Sequence, residues 1–405
     1  MTQPAIASRD DVLPPPIERY TLLGWVYKNL FNTWYNALLT VLAAAILYAI
    51  AKPVLTWAFN QARWEVVAVN MRLLMVGQYP PDQIWRVWLC LHLLAAVGGL
   101  SWGLWVRRYR ILGLLCLAAV LALAFLPSMS TSAARPHLIA LAVISPLGFG
   151  LGRLGGKRLQ RLVINLWLLY FPVMILIVRG LTRAEGGFPA VPTNLWGGLL
   201  LTFLLTVVGI LVSFPLGVLL ALGRRSPLAI VRWVSIGYIE LVRGVPLVTI
   251  LFMAQIMLPL FLPAGMTVDR ILRAMVGIIL FTAAYQAENI RGGLQAIPYG
   301  QYEAARALGL SGIQTTLLII LPQALRNVIP VLVGQFIALY KDTSLVAIVG
   351  LLDLLGIAKT IVSQPQFIGL QREAYLFVTL IYWVFSYIMA YLSQRLEVAL
   401  GVGER

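Results

Sequence analysis

Long runs of apolar residues, almost free of charge, recur along this 405-residue chain and set what it can fold into. A bilayer core of about 30 Å is crossed by about 20 apolar residues in a helix. In lipid every backbone N–H and C=O must be satisfied internally, so only helices and closed barrels cross it. Barrel strands alternate apolar and polar residues, and these runs do not alternate. The fold class is therefore all-α, a polytopic helical membrane protein. Composition agrees: 60% of residues are hydrophobic and 11% charged, against about 45–50% and about 25% in soluble domains. Disordered, collagen-like and disulfide-stapled secreted chains are excluded.

About ten transmembrane helices are expected, with eight possible because two are short. Five candidates fall at 36–58, 85–106, 111–127, 137–152 and 162–179. Five more fall at 195–222, 229–262, 271–290, 319–340 and 374–394. The two short ones, 111–127 and 137–152, also fit a re-entrant hairpin. The Gly- and Pro-rich stretch from Gly180 to Asn194 reads as a loop. It separates accessory helices at 36–180 from a five-helix core at 195–397. Small residues recur every fourth position at Gly148, Gly152 and Gly156, and at Gly209, Ser213 and Gly217, a spacing that lets helices approach closely within the subunit.

The formal charge is +16, from 31 Lys and Arg against 15 Asp and Glu. In a soluble chain this would suggest nucleic acid. Here it is read as the excess of basic residues in cytoplasmic loops, and no nucleic-acid partner is expected. Two candidate helices separate each of Arg107–Arg110, Lys157–Arg161 and Arg224–Arg225 from the next. All three clusters then fall on one side, with both termini in the cytoplasm. Residues 1–35 are expected to form a cytoplasmic tail followed by an interfacial helix. The acidic, Pro-rich start does not fit a cleavable signal peptide.

No covalent chemistry is visible. Cys90 and Cys116 sit in apolar runs, and His92 and His137 are far apart in sequence, so neither a disulfide framework nor a metal site is expected. Gly155-Gly156-Lys157-Arg158 lacks the first glycine and the hydroxyl of a phosphate-binding loop. No catalytic residue is assigned, and any energy source must lie outside the chain.

One polar stretch interrupts the core between 288 and 311. It contains Glu303-Ala304-Ala305, then Gly309, then Ile319, Leu321 and Pro322. An acid and two small residues opening a short helix invite a close partner surface, and Gly309 lets the chain turn. At background frequencies these seven positions coincide in roughly one in ten thousand chains. The pattern resembles the EAA motif of type I ABC importer permeases, with the loop spanning 291–318. Tyr238-Ile239-Glu240-Leu241-Val242-Arg243-Gly244-Val245-Pro246-Leu247 is similar to a stretch of polar amino acid permeases, with Val245 where threonine is usual. Pro322-Gln323-Ala324-Leu325-Arg326 and Lys341-Asp342-Thr343-Ser344-Leu345 resemble that family's later signatures. Asn36-Ala37-Leu38-Leu39-Thr40 and Gly77-Gln78-Tyr79-Pro80 through Trp85-Arg86 resemble the larger permease subunits of general L-amino acid importers.

The resemblance implies a permease for amino acids, polar or broad-range, in a bacterial inner membrane. It implies a related second permease, two cytoplasmic ATPase subunits carrying ATP and Mg, and a periplasmic binding protein. This chain itself would hold no cofactor. Glu303, Ala304, Ala305 and Gly309 would couple it to the ATPase. Candidates for the translocation path are Thr202, Thr206, Ser213, Glu240, Arg243, Tyr285, Gln286, Gln335 and Asp342, since hydroxyls, amides and paired charges suit a zwitterion. Glu240 and Arg243, three apart, are expected to pair on one helix face. A stand-alone ion-coupled amino acid carrier is the alternative, with Glu240 and Glu288 as its only deep acids.

Overall fold

A computed structural model describes residues 22–106, 133–181, 188–263 and 265–401, with isolated positions between 113 and 124. The tail expected at 1–18 lies outside them. The chain divides into two compact units, Met1–Arg63 and Trp64–Arg405.

In the first unit, α1 (Leu22–Leu30) lies within the stretch expected to be interfacial. Then α2 (Trp34–Thr56) runs into a wide π turn at Trp57–Gln61. Thr33 caps α2 by accepting from the Asn36 N–H. No α2 residue is buried. A long helix apolar on every face is a membrane helix.

The second unit begins with α3 (Glu65–Val69), α4 (Met71–Val76), α5 (Trp85–Trp105), α6 (Ala134–Leu154) and α7 (Lys157–Arg179). It continues with α8 (Gly198–Arg224), α9 (Ala229–Arg243), α10 (Leu247–Phe261, including a π turn), α11 (Arg270–Gln295) and α12 (Tyr299–Ala307). It closes with α13 (Leu321–Asp342), α14 (Leu354–Val362) and α15 (Gln371–Leu400). Among the described residues eight helices are long and apolar enough to cross a membrane, or nine when the bent pair α9–α10 is one span.

The tenth candidate, 111–127, lies mostly outside the described residues. His92 lies beside His137, and a Cβ on Gly103 would meet Phe149 and Arg153, so α5 and α6 run parallel. Trp105 and Ala134 therefore sit at opposite ends of the pair. The approach is close because it is glycine-lined: Cβ atoms on Gly99, Gly103, Gly148 or Gly152 would lie 2.2–2.8 Å from the facing backbone. His92 and His137, distant in sequence, are neighbours here with ring centroids 5.3 Å apart. No group of three potential metal ligands exists among the described residues.

In the core, α8 and α11 also run parallel, with Gly217 against Gln286 and Gly209 against Ile278. The span expected over 229–262, whose helix Gly244 and Pro246 are expected to interrupt, is broken at that place. Its two parts, α9 and α10, meet at 102°. Pro246 has no N–H to donate and disfavours a helical residue before it. A second proline, Pro259, follows the π turn at Met253–Met257, where the Leu258 N–H reaches back to the Met253 carbonyl. The helix expected to end at 290 instead continues to Gln295, because Ala283, Ala287, Ile290 and Leu294 keep helical spacing and are buried.

Residues 64–79 are built into the core. Val66, Val67 and Leu74 share an apolar cluster with Leu354, Ile357, Ile361 and Val378. Gly77 forms a bridge with Trp196, and the Gly198 N–H donates to the Leu352 carbonyl. Nearby, Tyr79 is buried and donates to the Val178 carbonyl at 2.7 Å. Burial pushes its hydroxyl up to about 12 against the pull of the Arg86 guanidinium, so it stays a donor. Arg86, also buried, donates to the Pro189 carbonyl at 2.9 Å and stacks on Phe188.

Candidate functional site

The helix α12 hangs between α11 and α13 at the end of the bundle that also holds Arg224. The other end holds Gly198, Val178 and α14. Lys157 opens α7 and Val178 lies near its close, so Lys157 sits at the α12 end too, as the charge pattern predicts. The cluster Arg107–Arg110 lies outside the described residues.

Pro298 precedes the first residue of α12, where its missing N–H costs nothing. The helix closes as the Glu-Ala-Ala…Gly spacing predicts. Gly309 adopts φ +75°. Its N–H donates to the Arg306 carbonyl at 2.9 Å, and the Leu310 N–H to the Ala305 carbonyl at 3.1 Å. These two bonds make a Schellman cap. Ser311 and Gln314 then form a reciprocal capping box that starts the next helical turn. A π turn at Thr315–Ile320 follows, where the Leu321 N–H reaches the Thr316 carbonyl. Pro322 explains it, since a proline ring clashes with the carbonyl four residues back.

Ala305 is buried, while Glu303, Ala304 and Gly309 are exposed. One face of α12 therefore rests on the bundle, and the acid and one small residue face away from it. The support is a cluster of Ala221, Ile290, Leu294, Ile297, Ile320 and Ala324, with Tyr302 against it. Two side chains tie α12 down: Arg225 donates to the Tyr302 hydroxyl and the Leu294 carbonyl at 3.2 Å each, and Gln323 donates to Gln301.

Directly beside Arg225 lies an ionic cluster that the sequence reading did not assemble. Arg224 pairs with Glu240 at 2.8 Å and with Glu288 at 3.3 Å. Arg243 approaches Glu288 at 3.7 Å, and Arg291 binds both oxygens of Glu288. The expected Glu240–Arg243 pair is therefore replaced. Each member is held by a charge on another helix, because α9 ends at the 102° bend and turns its last residues toward α8 and α11. Glu288 was visible as an acid and Arg224 as part of a basic cluster, but neither was matched to the other, and Arg291 was not singled out. The apolar spacing through Ile290 and Leu294 is the signal that would have placed Glu288 and Arg291 on one helix.

The other path candidates separate by burial. Thr202, Thr206, Ser213 and Gln286 are fully buried between helices. Thr202 and Thr206 donate to carbonyls four residues back. The Gln286 amide donates to the Ser213 hydroxyl at 2.9 Å, joining α8 to α11. Tyr285, Gln335 and Asp342 are partly exposed. Tyr285 lies under the Arg243 guanidinium, 5.6 Å from ring centroid to carbon.

Asp353, not anticipated, is fully buried at the start of α14. It accepts from the Leu355 and Gly356 N–H groups and from the Tyr382 hydroxyl. Burial pushes its carboxyl up to about 6, outweighing these bonds. A raised folded value means that the protonated form favours the fold. That contribution is full below the ordinary carboxylate value and is lost as pH rises through about 6. The protein should melt at a higher temperature at pH 5 than at pH 7.5, and Asp353→Asn should shrink that difference. An unchanged difference in thermal melts of the Asn variant would show that Asp353 does not carry it.

These features define a polytopic helical membrane protein. Residues 213–400 match the family described as "Binding-protein-dependent transport system inner membrane component". The chain is 40% identical to the inner membrane amino-acid ABC transporter permease protein YhdY of Escherichia coli (strain K12), over 94% of this chain and 93% of that protein. It is 38% identical to the glutamate/glutamine/aspartate/asparagine transport system permease protein BztC of Rhodobacter capsulatus, over 95% of each. A solved amino acid ABC transporter crystallised with histidines shares 31% identity, covering 50% of this chain and 92% of that one at a TM-score of 0.45. The chain belongs to the family of binding-protein-dependent ABC transporter permeases. It is a multi-pass membrane component of such a transporter.

Proposed function

We propose that this chain is the larger of two related permease subunits in an ATP-driven importer of amino acids. The observation that carries the reading is α12: a Schellman-capped helix with one buried face, tied to the core by Arg225 and Gln323, and with Glu303 and Ala304 turned outward. Such a helix suits docking by a cytoplasmic ATPase, and ATP and Mg would be held there rather than on this chain. A binding protein would deliver substrate at the opposite end, where Gly198 meets the start of α14. Both termini then lie in the cytoplasm. The similarity to permeases named for acidic amino acids and their amides supports polar amino acids as cargo. Glu240, Arg243, Tyr285, Gln335 and Asp342 would line the path. The buried Thr202, Thr206, Ser213 and Gln286 would hold its walls in register.

The ion-coupled carrier finds no favouring observation: Glu240 and Glu288, its two acids, are both engaged by arginines. Gentle purification from the native membrane should bring down an ATPase, a second permease and a binding protein. Proteoliposomes of that assembly should accumulate a polar amino acid only with ATP. Uptake driven by a proton gradient without ATP would overturn the reading.

A further inference from the structure

The ionic cluster at the α12 end does not balance. Three guanidinium groups, Arg224, Arg243 and Arg291, face two carboxylates, Glu240 and Glu288. Arg224 makes hydrogen bonds to both carboxylates, and Arg291 grips both oxygens of Glu288. Arg243 has the weakest hold. Its one ion-pair contact is 3.7 Å, beyond hydrogen-bond length, and its Nε is buried with no acceptor. A guanidinium presents its N–H groups in pairs that match a carboxylate, so the accessible part of an incompletely paired arginine can take a second one.

The place is suited to a passing solute. Arg243 is the last residue of α9, immediately before the bend, with a third of its side chain accessible. The Tyr285 ring lies 5.6 Å from its guanidinium carbon, and the Glu288 carboxylate 3.7 Å from its Nη1. Glu288 is already shared with Arg224 and Arg291, so a second carboxylate can engage Arg243 without stripping Glu288 of its partners.

We propose that Arg243 binds the α-carboxylate of the amino acid on the α12 side of the membrane. This deepens the function proposed above and rests on it. The site reads the feature common to all amino acids rather than the side chain, and Glu288 positions the guanidinium.

The test uses the whole complex of permeases and ATPases in detergent, without the binding protein. The probes are the amino acid that most stimulates ATP hydrolysis and the corresponding amino alcohol, which lacks only the carboxylate. The wild-type complex should bind the amino acid about 10-fold or more tightly than the alcohol. Arg243→Gln should bring the two affinities together by weakening only the amino acid. Arg243→Gln with the full preference retained would overturn the proposal. Should that variant fail to assemble, Arg243→Lys keeps the charge but loses the paired donors. It should then lower the preference at least about 3-fold, while Arg224→Lys should leave it intact, and an undiminished preference in Arg243→Lys would again overturn the proposal. A wild-type complex that, with its binding protein restored, shows no amino acid uptake with ATP would instead sink the importer reading itself.

Discussion

Gly309→Pro should abolish ATP-driven uptake while the subunit still reaches the membrane. The glycine sits at φ +75°, where proline, fixed near −65°, cannot go. Its N–H also closes the cap on the Arg306 carbonyl, and proline has none to give. The end of α12 must therefore unwind, and the Leu310 bond to Ala305 goes with it. The damage stays local: a Cβ at Gly309 would meet nothing within 4 Å, so no core contact is lost. A substitution at Glu303 acts differently. It is exposed on the outward face, so Glu303→Lys leaves the helix intact and changes only what a partner meets. Both variants should reduce uptake to background with membrane levels within about 2-fold of wild type: an exposed substitution such as Glu303→Lys rarely changes stability by more than ~0.5 kcal/mol, and the larger backbone cost of Gly309→Pro is confined to the end of α12. Immunoblots of membranes alongside radiolabelled uptake measure both. Full uptake by either well-expressed variant would remove α12 from the coupling role.

The end of α12 was legible in the sequence because its logic is local. Glu303, Ala305, Gly309 and Pro322 lie within one short stretch, and the Ala305 carbonyl, the Gly309 turn and the Pro322 ring act on backbone a few residues away. The break at Gly244–Pro246 is of the same kind, although its angle is set by what α9 meets after turning. The ionic cluster is of the other kind. Arg224 and Glu288 are 64 residues apart, and no spacing rule links a helix end to the middle of a later helix. A charged pair three apart, Glu240 and Arg243, offered a simpler partnering that the fold does not use. Path candidates chosen for polarity alone also mixed two populations. In an apolar helix a hydroxyl is satisfied by the carbonyl one turn back, as Thr202 and Thr206 are. Polarity therefore does not say which face it is on. Asp353 was missed for a related reason: its partners include Tyr382, 29 residues on.

The largest effect on folding should come from a residue of the front half, Gly77→Val. Gly77 has φ 65° and ψ −139°, a region close to glycine-only, where other residues cost about 1–3 kcal/mol. Its Cβ would lie 2.5 Å from the Gly197 Cα and 2.7 Å from the Gly197 nitrogen. Both are backbone atoms, so no side chain can swing aside, and overpacking adds typically ~1–3 kcal/mol. Gly197 is itself crowded: a Cβ there would lie 2.7 Å from the Leu352 carbonyl oxygen and 3.1 Å from the Gly77 Cα, and the neighbouring Gly198 N–H is bonded to that same carbonyl. The strain thus passes from the accessory segment into the start of α8 and the turn before Asp353. A total of roughly 2–6 kcal/mol is a large share of the ~5–15 kcal/mol that holds a typical domain. Gly77→Val should therefore lower the melting temperature sharply in detergent and cut the membrane level of the protein. Gly98→Ala, in α5 with nothing near its Cβ, should do neither. The comparison separates two views of residues 64–180. If they were only an anchor beside a self-sufficient core, Gly77→Val would spare α8 and α14, and limited proteolysis there would match wild type. The seam requires the opposite, with cleavage appearing first around 190–200 and 350–365.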